Sequence, residues 1–147
     1  LRGSISLGTP VLRGDHYVIP VIANTTEGFP SALSLRLRFS GGAETATIHR
    51  AGATASMQPS FETTRNGAGT LSYLVAFAQP WTAGANVIAE VEVSANVAAR
   101  GVRIEVDPAL TMLTERDGIH KATVANGTLT VSGVVIDGTR DGAPRSR

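Results

Sequence analysis

Histidines and carboxylates are the first places to look for chemistry in this 147-residue chain, and they are scattered. His16, His49 and His120 fall on separate segments, and none belongs to a metal-ligand spacing such as H-E-x-x-H. They read as ordinary surface histidines. Glu90 and Glu92 share one face of an alternating segment and imitate the carboxylate pair of a glycosidase. Such a pair must flank a substrate in a cleft, whereas a sheet face is flat and open, so they read as solvated charges. No G-x-S-x-G elbow and no phosphate-cradling glycine loop occurs. Asp137-Gly138-Thr139-Arg140-Asp141-Gly142 puts Asp, Asp and Gly at positions one, five and six of a calcium loop. Thr139 is a poor third ligand there, and the bidentate position falls beyond Arg147, so a linker is the better reading. Asn24-Thr25-Thr26 and Asn126-Gly127-Thr128 are formal glycosylation sequons, meaningful only in a eukaryotic secretory pathway. The expectation is a non-enzyme with no catalytic residue, no metal site and no cofactor.

Binding is then the chemistry left to position, and the elements that could do so are strands. Ser31 to Phe39 is the organising stretch: Leu33, Leu35, Leu37 and Phe39 alternate with Ser34, Arg36 and Arg38. A period of two gives one apolar face and one wet face, so this strand covers a core on one side only. A helix would wrap the same leucines right round its circumference. The wet face, marked by two arginines, is where function is sought first.

Hydrophobic content of 42% and charged content of 17% suit one folded domain with an ordinary core. Thirteen basic and twelve acidic residues leave a net charge of +1, too weak a field to point to nucleic acid or an anionic membrane. No apolar run approaches the roughly 18 residues of a membrane span. With no cysteine, disulfides and thiolate metal sites are excluded. The chain begins at Leu1 without a methionine or signal sequence, which reads as a segment of a longer protein.

Sixteen glycines and seven prolines punctuate the chain into short strands. Ile5 to Leu12 suits a first or edge strand. His16 to Asn24 is a second, with Tyr17, Ile19 and Val21 on one face and Pro20 at an edge, a bulge or a switch. A weak strand runs from Glu44 to His49 and a short one from Ser60 to Arg65, ending in the hairpin signal Asn66-Gly67. Thr70 to Ala78 puts Leu71, Tyr73, Val75 and Phe77 inward and Ser72, Leu74 and Ala76 outward. Asn86 to Ala95 sends Val87, Ala89, Val91 and Val93 in and Ile88, Glu90 and Glu92 out. Val102 to Val106 turns Arg103 and Glu105 outward. Asp107 to His120 is an excursion tucked in by Leu110, Met112 and Leu113, and Thr123 to Ser132 closes the domain. About nine strands without a convincing helix predict an all-β, nine-stranded jelly-roll β-sandwich over residues 1–133. Residues 134–147 are expected to be a C-terminal linker or tail.

Taken end to end, these landmarks resemble the cohesin domain, the receptor module of cellulosome-type assemblies. Arg13-Gly14-Asp15-His16-Tyr17-Val18-Ile19-Pro20-Val21 looks like the cohesin pattern of Gly-Asp, alternating apolars and Val-Pro-Val. Asn24, the strand ending in Phe39, the glycine-led Gly69 to Phe77, Val91-Glu92-Val93, Ala99-Arg100-Gly101 and Asn126-Gly127-Thr128-Leu129-Thr130-Val131 continue the likeness. Phe39-Ser40 stands where cohesins usually have Tyr-Asp. The resemblance implies that the third strand lies beside the sixth and eighth, and that their outer face binds a dockerin-bearing protein outside a bacterial cell. It implies a secreted or cell-surface protein.

Arg36 and Arg38 would then face Glu105 and Asp107 across neighbouring strands, each opposite-charge pair contributing about 0.2–1 kcal/mol. Leu74 and Ala76, with Ser72, would supply an apolar centre, so the expected partner-binding set is Arg36, Arg38, Ser72, Leu74, Ala76 and Glu105. Polysaccharide is the rival ligand, because cellulose-binding modules use a similar jelly roll. Sugar chains need coplanar aromatics, and this chain has one Trp, two Tyr and four Phe, mostly at inward positions. Trp81, on a loop, is the candidate left for it, although a single loop Trp is more often a core plug than a sugar platform. A structural spacer is the third reading.

Overall fold

Alternation decides the architecture. The structure, a computed structural model, describes residues 1–40, 46–98, 101–116, 122–124 and 129–136. Its strands are β1 (Arg2–Leu7), β2 (Val11–Arg13), β3 (His16–Glu27), β4 (Pro30–Ser40), β5 (Thr47–Arg50), β6 (Pro59–Gly67) and β7 (Thr70–Phe77). There follow β8 (Gly84–Ser94), β9 (Val102–Val106), β10 (Met112–Arg116), β11 (Ala122–Val124), β12 (Leu129–Ser132) and β13 (Val134–Ile136). A four-residue helix, α1 (Ala95–Ala98), caps β8. One sheet has the order β12-β1-β3-β8-β5, with β2 on β3; the other has β11-β10-β4-β7-β6, with β9 on β4 and β13 on β9. Among the described residues, every pairing is antiparallel except that of β1 with β12.

The result is the all-β sandwich that the sequence predicts. Ile5, Tyr17, Ile19 and Val21 of the first sheet share one core with Leu33, Leu35, Leu37, Leu71 and Tyr73 of the second. The described residues carry thirteen strand segments instead of nine. Most of the excess comes from the chain's second half. β9 pairs with only Leu37–Ser40 of β4, and β10 takes the free half of that edge, pairing Met112 with Ser34 and Leu113 with Leu33. Leu113 is buried by that pairing, whereas Leu110, expected to tuck inward, is exposed on the 3-10 turn Pro108–Leu110. The closing stretch divides as well, β11 joining one sheet and β12 the other. Strand β13 starts at Val134, where the tail is expected to begin. His120, the sequon at Asn126, Ala99 and Arg100 of the cohesin-like Ala99-Arg100-Gly101, and the calcium-like loop from Asp137 to Gly142 lie outside the described residues.

Two irregularities have readable causes. Pro20 lies where β3 changes neighbours: Leu7 of β1 pairs with Val21, Val11 of β2 pairs with Val18, and the Gly8 amide donates to the Pro20 carbonyl between them. The missing Pro20 amide therefore falls in the gap between two ladders. On β8 the register steps from Val21–Ala89 to Ile22–Val87, which leaves Ile88 as an extra residue. That bulge turns Ile88 into the core, against the expected outward position, and leaves Val87 half-buried. The Thr54 hydroxyl and the Ala51 amide both donate to the Ile88 carbonyl, fixing the bulge to the 3-10 turn Gly52–Thr54. Gly52 has φ +59, and a Cβ there would lie 2.2 Å from the Val87 carbonyl oxygen, so only glycine fits.

The two sheets are tied along one side by a polar chain. The Tyr73 hydroxyl, reaching out from the core, donates to Glu62 on β6, and Glu62 also receives the Arg50 Nε–H from β5. Arg50 Nη1 donates to the Met57 carbonyl at 2.6 Å. Burial pushes the Tyr73 phenol above its ordinary value; its hydrogen bond to Glu62 and that carboxylate's charge push the same way, against Arg50. The unfolded chain therefore releases this proton first, so stability is full below about pH 10 and falls as pH rises beyond it. Thermal melts at about pH 9 to 11.5 should show a steeper loss for the unaltered chain than for Tyr73→Phe. Equal slopes would refute that assignment.

Candidate protein-binding face

The outer side of β4, β7 and β6 is built as rows, because three strands run in register. Ala32 pairs with Ala76 and Ala76 with Phe61; Ser34 with Leu74 and Leu74 with Thr63; Arg36 with Ser72 and Ser72 with Arg65. On the far edge of β4, Arg38 lies opposite Glu105 and Ser40 opposite Arg103. The expected residues Arg36, Arg38, Ser72, Leu74, Ala76 and Glu105 therefore share one face of one sheet.

Arg36 occupies the point where β9 ends and β10 begins, so its backbone groups need partners from the connection. The Asp107 amide donates to the Arg36 carbonyl at 2.9 Å, and the Arg36 amide donates to the hydroxyl of buried Thr111 at 3.2 Å. With the backbone fixed, the guanidinium lies along the sheet and gives its Nε–H to Ser72 Oγ at 2.7 Å. Arg38 reaches Asp107 at 3.7 Å, while Asp107 also accepts the Ala109 amide that starts the 3-10 turn. Glu105 is opposite Arg38 in register, yet its carboxylate is 3.7 Å from Arg103 on its own strand. Of the expected cross-strand pairs, Arg38–Asp107 forms, Arg36 bonds a hydroxyl instead, and Glu105 turns to a strand neighbour. All are solvent-screened contacts worth under about 1 kcal/mol each.

The apolar part of the face is wider than Leu74 and Ala76. Leu74 is 39% exposed, Phe61 lies one row away at 53%, and Leu110 projects from the turn at 48%. Leu74, Leu110, Arg36 and Arg65 line one shallow depression of about 330 Å³ floored by Ser72 and flanked by Ser34 and Thr63. Phe61, Thr63 and Arg65 had a signal in the sequence: the Asn66-Gly67 turn folds their strand back on Thr70 to Phe77, which sets them beside Ala76, Leu74 and Ser72.

Elsewhere the candidate chemistry resolves differently. Glu90 and Glu92 stand on the outer face of the other sheet, with His49 between them at 3.3 and 3.4 Å and Arg13 at 3.9 Å from Glu90. His16 contacts Asp15, its chain neighbour, at 2.6 Å. Trp81, the candidate sugar platform, is 3% exposed, edge-on to Phe77 with ring centroids 6.2 Å apart. It plugs the core beneath its loop. The exposed aromatics are Phe29 and Phe61, contrary to the expectation that most aromatics point inward would leave Trp81 as the exception.

No family model and no curated protein matches this sequence. Solved structures do match over nearly the whole chain. The second type II cohesin module of the adaptor ScaA scaffoldin of Acetivibrio cellulolyticus superposes with a TM-score of 0.65 at 10% identity, covering 100% of this chain and 94% of that one. The CaCohA2 cohesin of Clostridium acetobutylicum gives 0.62 at 15% identity, over 91% and 88%. The sixth cohesin of the same Acetivibrio species' scaffoldin B, solved in complex with a Cel5 dockerin, gives 0.59 at 13%, over 93% and 99%. At such identities the likeness is one of architecture, and the architecture of this chain is the cohesin β-sandwich.

Proposed function

We infer that this chain is a non-catalytic receptor module that binds a dockerin-bearing protein through the outer face of β4, β7, β6 and β9. The observation that carries this reading is the end-to-end likeness to cohesins, among them modules solved in complex with dockerins. The face supports it with a mixed surface, apolar at Leu74, Ala76, Phe61 and Leu110 and charged at Arg36, Arg38, Arg103 and Glu105, which suits a protein partner. By the same likeness the module works outside the cell, secreted or at the surface, as part of a larger assembly.

The test is capture from the host's secreted proteins by the immobilised chain, in parallel with a variant carrying Arg36→Ala, Arg38→Ala and Leu74→Asp. Capture of a dockerin-bearing protein by the unaltered chain, lost in the variant, is the expected result. Retention on cellulose with no protein captured would overturn it in favour of a sugar ligand.

A further inference from the structure

Arg36 and Arg65 flank Ser72 in a single row across three strands. At a strand spacing of about 4.8 Å their Cα atoms stand about 10 Å apart. Both arginines line the same depression. Among the described side chains of β4 and β9, the other cations of this face are matched, Arg38 by Asp107 and Arg103 by Glu105. Arg36 and Arg65 have no carboxylate partner among the described residues; Arg36 bonds only Ser72 through its side chain, and Arg65 gives no side-chain hydrogen bond. The Arg36 guanidinium, fixed on Ser72, and that of the exposed Arg65 thus line one hollow with no counter-charge among the described residues, between the exposed leucines Leu74 and Leu110.

We propose that this hollow seats one acidic side chain, an aspartate or glutamate of the protein partner, flanked by an aliphatic residue that packs on Leu74 and Leu110. The proposal rests on the protein-binding reading of this face and adds the chemistry of the residue it selects. A carboxylate takes the planar N–H forks of two arginines with short charge-assisted hydrogen bonds, and the Ser72 hydroxyl lies between them. The leucines exclude water from one side, which strengthens those bonds. A polyanion is a poorer fit, because Arg38 and Arg103, outside the hollow, already carry counter-charges.

The probes are two blocked dipeptides, N-acetyl-aspartyl-leucine amide and its asparaginyl counterpart, titrated into the full 147-residue chain labelled with nitrogen-15. The arginine Nε–Hε resonances are the readout, assigned through Arg36→Lys and Arg65→Lys. The aspartyl peptide should shift the Arg36 and Arg65 signals saturably, at least about tenfold more tightly than the asparaginyl one. Equal responses to the two peptides, or equal shifts at the exposed Arg2 and Arg103, would overturn the proposal. Capture experiments separate the two levels. If Arg36→Gln with Arg65→Gln leaves dockerin capture unchanged while Leu74→Asp abolishes it, the receptor reading stands and the acidic-residue proposal fails. If no dockerin is captured at all, the receptor reading fails and the dipeptides still decide whether the hollow selects a carboxylate.

Discussion

Changing Leu74 alone to aspartate should weaken dockerin capture by about 100-fold or more, equivalent to about 2.7 kcal/mol. Leu74 occupies the middle strand of the face, with Ser34 and Thr63 beside it in its row, Arg36, Ser72 and Arg65 in the next, and Leu110 over the same hollow. Binding energy concentrates in such central apolar positions, which lose all contact with water when a partner closes over them. The substitution removes the leucine's apolar area and buries a carboxylate in its place. The nearby arginines compensate only in part, because a carboxylate on Leu74's own strand competes with the partner for them. The fold should be nearly indifferent, since a half-exposed sheet position changes stability by at most about 1 kcal/mol. Leu12→Asp is the matched control: Leu12 is also an exposed leucine, on β2 in the other sheet, and its loss should leave capture unchanged. Surface plasmon resonance with the captured protein, with melting midpoints of both variants, makes the comparison. Equal capture by Leu74→Asp and the unaltered chain would place the binding surface elsewhere.

The strands that face water on one side were legible from the amino acids. Leu33, Leu35 and Leu37 with Ser34, Arg36 and Arg38 leave no alternative to a half-buried strand, and Leu71 to Phe77 likewise. The expected neighbours of the organising strand, the sixth and eighth, are the β7 and β9 found there. Parity sets the face within each strand and the neighbour order implied by the cohesin resemblance sets the strands side by side, so the six expected residues come together. Parity fails at a bulge, and Ile88 is the instance: one extra residue on β8 turns Ile88 inward beside buried Ala89 and leaves Val87 half-buried, with no mark in the local pattern. Pairing within the face depends on rotamers, which parity does not carry, and so Glu105 turns to Arg103. Arg65 was within reach of the sequence through the Asn66-Gly67 turn, but its significance appears only when Ser72 is seen between it and Arg36. Leu110 misled because composition cannot tell a leucine that plugs a loop from one held out by a proline-led 3-10 turn.

Leu35→Ala should remove about 3 kcal/mol of stability, the largest single-residue effect expected on the fold. Leu35 is 1% exposed at the middle of β4, directly beside Tyr73 of β7 and facing the first sheet across the core. Shortening it leaves a void that the hydrogen-bonded sheet cannot close, because β4 is held on both edges, by β7 on one side and by β9 with β10 on the other. The cost is then the lost transfer energy plus the unfilled cavity. A domain of this size has about 5–15 kcal/mol in all, so the midpoint should fall by about 6–12 °C. Arg38→Ala, three residues further on and exposed on the opposite face, should change stability by less than about 0.5 kcal/mol. Urea titrations of the two variants give the contrast, and a Leu35→Ala loss under about 1 kcal/mol would mean that the sandwich core is not the one described. The same strand separates the two roles of the molecule. Its inner residues hold the sheets together and its outer residues form the proposed binding face, so Leu35→Ala, assayed well below its melting temperature, should capture a dockerin as the unaltered chain does. Loss of capture in that folded variant would show that the face depends on the core's packing as well as on its own side chains.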